Sequence, residues 1–166
     1  MARPLLARTI TSDFVPLSTV VGLFMPPKPR SWQCEMAIPS QVGAGRGVLD
    51  KIVGRLEQEH WPKHDVFGVQ LAMEEALINA IKHGNRLDPT KQVHVLFCLS
   101  PDVVRIEIVD EGPGFDPVAL PDPTDPRHIE SPGGRGVLLM RRFMSRVEFH
   151  AAGNHVVMEK QRSAAG

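Results

Sequence analysis

The sequence has few cysteines and no excess of either charge. Cys34 and Cys98, its two cysteines, lie far apart in the chain and predict two reduced thiols rather than a disulfide framework. Lysine plus arginine number 19, and so do aspartate plus glutamate. A balanced charge provides no bulk attraction to nucleic acid or to a membrane surface, so neither is predicted as a partner. A cytoplasmic location is expected.

The sequence also lacks a hydrophobic run long enough to span a membrane. The apolar stretch from Phe14 to Met25 is too short for that role. We predict a flexible N-terminal extension over residues 1–30, one folded domain over 31–162 and a disordered tail over 163–166. No GxxxxGK[ST] motif occurs anywhere, which excludes a P-loop nucleotide site.

One long helix is predicted from Val66 to Asn85. Strong helix formers run from Val69 to Lys82, and Gly84 followed by Asn85 supplies a stop. One side of the helix is apolar and is predicted to pack in the core; its members are Val69, Met73, Ala76, Leu77 and Ala80.

The opposite side of this helix is polar. Asn79, Lys82 and His83 lie within an arc of roughly 100° around Glu75 on a wheel of about 3.6 residues per turn. A carboxylate and a carboxamide one turn apart suit a site in which the acid handles a proton and the amide oxygen holds a hard cation. Such a pair is more often part of a solvated helix face. The choice between that interpretation and a functional site depends on the segments that follow in the chain.

The first of these segments is a strand that ends in an acid and two glycines. Val103–Val109 alternates between apolar and charged residues, which predicts a half-buried strand. Asp110 continues the apolar register, so its carboxylate is predicted to point inward. Gly112 and Gly114 follow and leave room for a ligand to approach the backbone.

The second segment is glycine-rich and precedes a helical pattern. Ser131–Val137, SPGGRGV, leads into VLLMRRFM. Free N–H groups at a helix start, together with the helix dipole, favour phosphate.

The remaining segments complete a mainly antiparallel α+β pattern. Strands are predicted at Trp32–Ile38, Gln92–Leu99, Arg146–Ala151 and His155–Lys160, a helix at Gln41–Trp61, and a proline-rich lid at Pro117–Pro132.

Taken together, three motifs resemble the ATP site of the GHKL superfamily. They are Glu75-x-x-x-Asn79, Asp110-x-Gly112-x-Gly114 and Gly134-x-Gly136-Val137. The stretches EEALINAIKHGN, GRGVLLMRRFMSRVEFH and GNHVVMEK further resemble the anti-sigma regulatory factors that are serine-protein kinases. The likeness covers about Trp32 to Arg162 and implies the Bergerat fold. That fold is a two-layer α/β sandwich whose mixed, mainly antiparallel sheet has helices on one face.

The resemblance implies a site for ATP and magnesium. Asn79 would hold magnesium together with the ATP phosphates, Glu75 would act as the catalytic base, and Asp110 would accept a hydrogen bond from the adenine amino group. The other residues implied in nucleotide binding are Gly112 and Gly114 near the base, Gly133, Gly134, Arg135, Gly136 and Val137 around the phosphates, and Lys82, His83 and Arg127 as secondary phosphate contacts.

The function implied is a serine/threonine-protein kinase that phosphorylates a small anti-anti-sigma partner and thereby controls a sigma factor. In the resembling family the first helix helps to form a homodimer and partner surface. Two alternatives stay open. One is a non-catalytic module that binds ATP and sequesters a partner. The other, weaker because no phospho-accepting helical hairpin precedes the domain, is a detached histidine-kinase catalytic domain.

Overall fold

The computed structural model describes residues 32–114, 132–150 and 152–164. Its elements, in chain order, are β1 (Trp32–Pro39), α1 (Arg46–Gln58), α2 (Lys63–Ile78) continued by a π-helical segment (Asn79–Gly84), β2 (Gln92–Leu99), β3 (Val103–Asp110), α3 (Pro132–Phe143), β4 (Arg146–His150) and β5 (His155–Gln161). None of these helices has the length and apolar character needed to cross a membrane.

The strands form one five-stranded sheet in the order β1-β2-β3-β5-β4. All four pairings between neighbours are antiparallel. The helices cover one face of this sheet, so the predicted α+β sandwich with a mainly antiparallel sheet is confirmed. The helix-facing side of β2 and β3 is the centre of the core and consists of Val93, Val95, Phe97, Leu99, Val104, Ile106 and Ile108, each at most 3% exposed.

Helix α2 lies across the middle of this face. Its predicted packing face is confirmed, because the five apolar residues named above are each at most 4% exposed. The helix begins at Lys63, three residues before the predicted start, since Pro62 occupies the N-cap position with an extended ψ of 136°. A proline suits the beginning of a helix, where its missing N–H is not needed.

Helix α1 begins later than predicted, at Arg46 rather than Gln41. Gly43 has a φ of +86° and turns the chain immediately before the helix. Val42, which lies inside the predicted helix Gln41–Trp61, is instead 74% exposed in this turn. The residues that do anchor α1 in the core are Val48, Ile52 and Leu56.

The outer face of the sheet carries a buried charge that strand alternation alone did not predict. Glu107 is only 8% exposed and lies 3.0 Å from both Arg105 Nε and His155 Nε2. These contacts, the one with His155 above all, hold the pKa of Glu107 below its ordinary value despite burial. Cys98 shares this outer face whereas Cys34 lies on the other, and both thiols are free, as predicted.

A second buried acid holds the C-terminal end of the domain. Asp65 is fully buried and accepts hydrogen bonds from the Ser163 N–H at 2.8 Å and from Ser163 Oγ at 2.9 Å. Lys160 Nζ lies 3.3 Å away. Burial by itself would raise the pKa of Asp65, but these contacts hold it below its ordinary value. The ordered contacts thus extend to Ser163, one residue past the predicted domain end.

Removing this carboxylate should destabilise the domain. Asp65→Ala leaves Lys160 and Ser163 without their buried partner, so the free energy of unfolding at pH 7 should fall by about 2–4 kcal/mol. The pKa of Asp65 is lower in the folded state than its value of about 3.9 in the unfolded chain. The carboxylate therefore stabilises the fold fully above the unfolded-state pKa, and this stabilisation is lost as the pH falls through the folded-state pKa. Urea titrations at pH 7 and pH 3 measure both effects. Asp50→Ala, on the exposed side of α1, is the control, and equal losses for the two variants would contradict this role.

Candidate functional site

A cavity of about 200 Å³ lies between the helices and the sheet. Its walls come from α2 and the π-helical segment, from α3, from β3 and the residues after it, and from β4, β5 and the turn between them. The lining is mostly apolar and comprises Ala76, Asn79, Ala80, His83, Gly84, Ile108, Asp110, Gly114, Val137, Met140, Phe149, Gly153, Asn154 and Val156. Five of the predicted site residues meet here: Asn79, His83, Asp110, Gly114 and Val137.

Asp110 supplies the one carboxylate among the described residues that line this cavity. It is the last residue of β3 and is 9% exposed, so the predicted inward direction is correct. Its Oδ1 accepts a hydrogen bond from the Gly112 N–H at 2.8 Å. Burial raises the pKa of Asp110, while this hydrogen bond and the charge of Lys91 oppose the rise. Oδ2 receives no hydrogen bond from the described residues, which leaves an acceptor facing an apolar space.

Asn85 holds the end of β3 in place, a role that the sequence did not indicate because an asparagine after a glycine suggests only a helix stop. It is 1% exposed. Its Oδ1 accepts from the Glu111 N–H at 2.7 Å, and its Nδ2 donates to Ser40 Oγ at 2.6 Å and to the Gln92 carbonyl at 2.8 Å. One side chain therefore ties the end of α2 to three strands.

The π-helical segment brings Gly84 against Asp110. The Asn85 N–H bonds to the Ala80 carbonyl at 2.8 Å, five residues back, so the turn is wider than an α-helical one. On an α-helical wheel Gly84 would lie about 140° away from Asn79. The wider turn moves it back to the cavity side, where a Cβ on Gly84 would overlap the Asp110 carboxyl group.

The turn before β5, which the sequence predicts only as the connection between two strands, supports Asp110 from the other side. The Asp110 N–H donates to the Asn154 carbonyl at 3.0 Å, and Asn154 Nδ2 donates to the Asp110 carbonyl at 3.1 Å. Gly114, with a φ of +79°, lies directly against the Ala152 carbonyl. Asn154 is thus both a cavity wall and a clamp on the Asp110 backbone.

Glu75 lies beside the cavity, not in its lining. Its half-buried side chain contacts α3, because a Cβ on Gly136 would be 2.8 Å from Glu75 Oε2 and 3.3 Å from Asn79 Nδ2. Gly136 therefore lets the backbone of α3 approach both polar side chains. The carboxylate and the carboxamide predicted to share a stripe do lie together, against the N-terminal half of α3.

The other predicted residues are distributed differently. Lys82 and Arg135 are exposed and do not line the cavity. For Lys82 the reason is the π-helical turn, beyond which the 3.6-residue wheel no longer applies. Gly112 packs against the Gly84 carbonyl instead of lining the cavity. Helix α3 begins earlier than predicted, so Gly133 and Gly134 lie inside its first turn. Arg127 and most of the lid predicted at Pro117–Pro132 fall outside the described residues.

Comparison with known proteins identifies the family of the chain. Residues 37–160 match the histidine kinase-like ATPase domain family. The chain is 27% identical over 125 residues to the serine-protein kinase RsbW of Oceanobacillus iheyensis, covering 70% of this chain and 77% of that protein. It is 30% identical over 137 residues to RsbW of Bacillus subtilis, covering 76% and 83%. It is also 30% identical over 102 residues to the anti-sigma F factor of O. iheyensis, covering 57% and 68%.

A solved structure shares the fold. The crystal structure of the RsbU and RsbW domains of a Mycobacterium tuberculosis protein matches with a TM-score of 0.55 at 14% identity, over 79% of this chain and 31% of that chain. The family match over residues 37–160 and the sequence relatives show that the chain belongs to the histidine kinase-like ATPase domain family, in the group that includes the RsbW serine-protein kinases.

The contact between Gly84 and Asp110 has a measurable consequence for stability. Gly84→Ala introduces a methyl group where the Asp110 carboxyl lies, and the short aspartate cannot move without breaking its bond to Gly112. The free energy of unfolding should fall by about 1–3 kcal/mol, as in other overpacked sites. Thermal and urea unfolding measure this. Gly47→Ala in α1 meets no atom within 4 Å and should leave stability unchanged or raise it, so similar losses for both would argue against the contact.

Proposed function

We propose that this protein is an ATP-dependent serine/threonine-protein kinase that regulates a sigma factor. One observation carries the proposal. Asn79 and Asp110 line the same cavity, while Glu75 lies one helical turn from Asn79 at the edge of that cavity. This arrangement leaves room for a nucleotide inside and for a second substrate outside, next to a carboxylate.

The inner end of the cavity suits adenine. Its walls are apolar, and Asp110 offers a carboxylate oxygen to the adenine amino group. Guanine has a carbonyl at the corresponding position and would face that oxygen with a second acceptor, so adenine is selected. Asn154 holds the Asp110 backbone in position and so helps to set this preference.

The outer end suits phosphate and a magnesium ion. Asn79 would hold the ion through its side-chain oxygen together with phosphate oxygens, which supplies the positive charge that phosphoryl transfer needs. The N-terminal turn of α3, with Gly133 and Gly134, would receive the phosphates through its free N–H groups. Val137 already lines the cavity.

Glu75 would act on the acceptor hydroxyl. A general base must lie within hydrogen-bond reach of the proton that it removes. Glu75 is half exposed and lies next to Asn79, so a serine or threonine hydroxyl could reach it at the edge of the cavity. The carboxylate takes the hydroxyl proton while the serine or threonine oxygen attacks the terminal phosphorus and ADP leaves.

The names of the relatives support the regulatory part of the proposal. Two of them are called serine-protein kinase RsbW, and a third is called anti-sigma F factor. By this analogy the acceptor is a small anti-anti-sigma-type protein in the cytoplasm, and a sigma factor is a second partner. A homodimer is part of the same proposal.

Nucleotide binding should depend on Asp110. In Asp110→Asn the amide oxygen stays on the Gly112 N–H, so the amide nitrogen faces the adenine amino group, donor against donor. ATP affinity should fall by about 10- to 100-fold. Calorimetric titration with Mg-ATP measures the change, with Asp50→Asn as the exposed control. Unchanged affinity in Asp110→Asn would remove this residue from the adenine pocket.

Phosphoryl transfer should depend on Glu75 without a matching loss of ATP binding. Glu75→Gln keeps the size of the side chain but removes the basic oxygen, so transfer should slow by about 10²- to 10⁴-fold while Mg-ATP affinity is unchanged. Asn79→Ala should harm both, because the metal loses its protein ligand. Radiolabel transfer to purified anti-anti-sigma-type proteins and ATP titration separate the two variants.

The same assay distinguishes the alternatives. Equal transfer rates for wild type and Glu75→Gln would exclude Glu75 as the base. ATP binding without transfer to any such protein would favour the non-catalytic partner-binding module. Transfer to a histidine would favour the histidine-kinase alternative.

A further inference from the structure

The two helices that flank Glu75 run antiparallel in close contact. A Cβ on Gly68 of α2 would lie 3.2 Å from the Phe143 ring of α3, and one on Gly136 would lie 2.8 Å from Glu75 Oε2. Gly68 and Glu75 are seven residues apart along α2, and their contacts on α3, Phe143 and Gly136, are seven residues apart in the opposite direction. The seam between the helices is about 10 Å long and ends at the candidate base.

An apolar surface follows this seam on its outer side. Phe67 is 55% exposed and Ile78 is 42% exposed, while Leu71 is half-buried between them. All three lie within about 80° of Glu75 on the α2 wheel. Across the seam, α3 contributes two half-buried residues, Leu139 and Phe143. We call these five residues the apolar strip.

Phe67 is the most prominent member of the strip. Its ring meets the Phe143 ring edge to face with centroids 6.0 Å apart, so it stands over the seam with more than half of its surface in solvent. An ordinary surface helix keeps its outer side polar, and exposed aromatic residues of this kind are enriched in protein interfaces. Phe67 is eight residues, or about 12 Å, from Glu75 along the helix.

The charges beside the strip are positive on the α3 side. Arg135 is exposed near the Glu75 end, and Arg142 is exposed near the Phe67 end. Helix α3 contains no acidic residue that could neutralise them. The α2 side carries Glu74, which accepts a hydrogen bond from Gln70 at 3.0 Å. The surface is therefore apolar in the middle and basic along one edge.

We propose that the apolar strip is the docking surface for the protein that receives the phosphoryl group. The occupant places an apolar side chain against Phe67, an acidic edge against Arg135 and Arg142, and its serine or threonine beside Glu75. This inference rests on the proposed kinase function and names the chemistry of the acceptor surface. Complementary charge sets the register of docking, and the apolar contact supplies most of the affinity.

The test measures acceptor binding and transfer in the full chain. The probe is the purified anti-anti-sigma-type protein that the wild type phosphorylates or, if it phosphorylates none, each such protein of the same organism. Phe67→Ser should raise the acceptor Kd and KM by about ten-fold or more, with kcat at saturating acceptor and Mg-ATP affinity unchanged. Arg142→Glu should also weaken docking, and its effect should shrink in high salt. Leu87→Ser, which removes a 46% exposed apolar residue in the turn after the π-helical segment, is the matched control.

The outcomes separate docking from catalysis. If the wild type transfers phosphate and neither Phe67→Ser nor Arg142→Glu changes the acceptor Kd, the docking surface is wrong and the kinase function stands. If the wild type binds an acceptor in a Phe67-dependent way without transferring phosphate, the kinase function is wrong and the surface stands.

A photo-crosslinking residue at position 67 identifies the occupant directly. A crosslink to the acceptor supports the proposal. If, with acceptor present, position 67 crosslinks only to a second copy of this chain, the strip serves self-association and the proposal is overturned. A crosslink only to residues 14–25 of the same chain assigns the strip to the N-terminal segment and also overturns the proposal.

Discussion

The buried amide of Asn85 is the constraint on which the site depends. Its hydrogen bonds reach Ser40 after β1, Gln92 at the start of β2 and Glu111 after β3. A buried amide left without partners would cost about 1–3 kcal/mol, so these bonds act together to hold the end of α2 against three strands. Asp110 precedes Glu111 directly, and its position at the cavity follows from this network.

Close backbone contacts complete the same arrangement. Gly84 lies against Asp110, Gly112 against the Gly84 carbonyl, and Gly114 against the Ala152 carbonyl. The sequence suggested that the glycines after β3 make room for a ligand. In the structure their nearest neighbours are protein groups, because the helix end, the β3 end and the turn before β5 converge on one acid. These glycines thus allow the close packing that holds the pocket walls in place, and Gly114 also lines the pocket.

Periodicity predicted the parts of the fold that obey a regular repeat. The bounds of β2 agree with the alternation of apolar residues, and the packing face of α2 agrees with the helical wheel. The same reasoning failed where a local bond changed the repeat. Gly43 delays α1, and the π-helical turn after Ile78 places His83 and Gly84 at the cavity while Lys82 points away from it.

The sequence by itself determined the chemistry that is available and the order in which it occurs. An acid and an amide one turn apart, an inward acid at a strand end and a glycine-rich helix start are all local patterns, because each depends on neighbours within a few residues. Only the tertiary structure decided which of these groups meet. Glu75 faces Gly136, Asn85 holds Glu111, and Asn154 clamps the backbone of Asp110. These contacts join residues 26 to 61 positions apart, and no repeat along the chain encodes packing between separate elements.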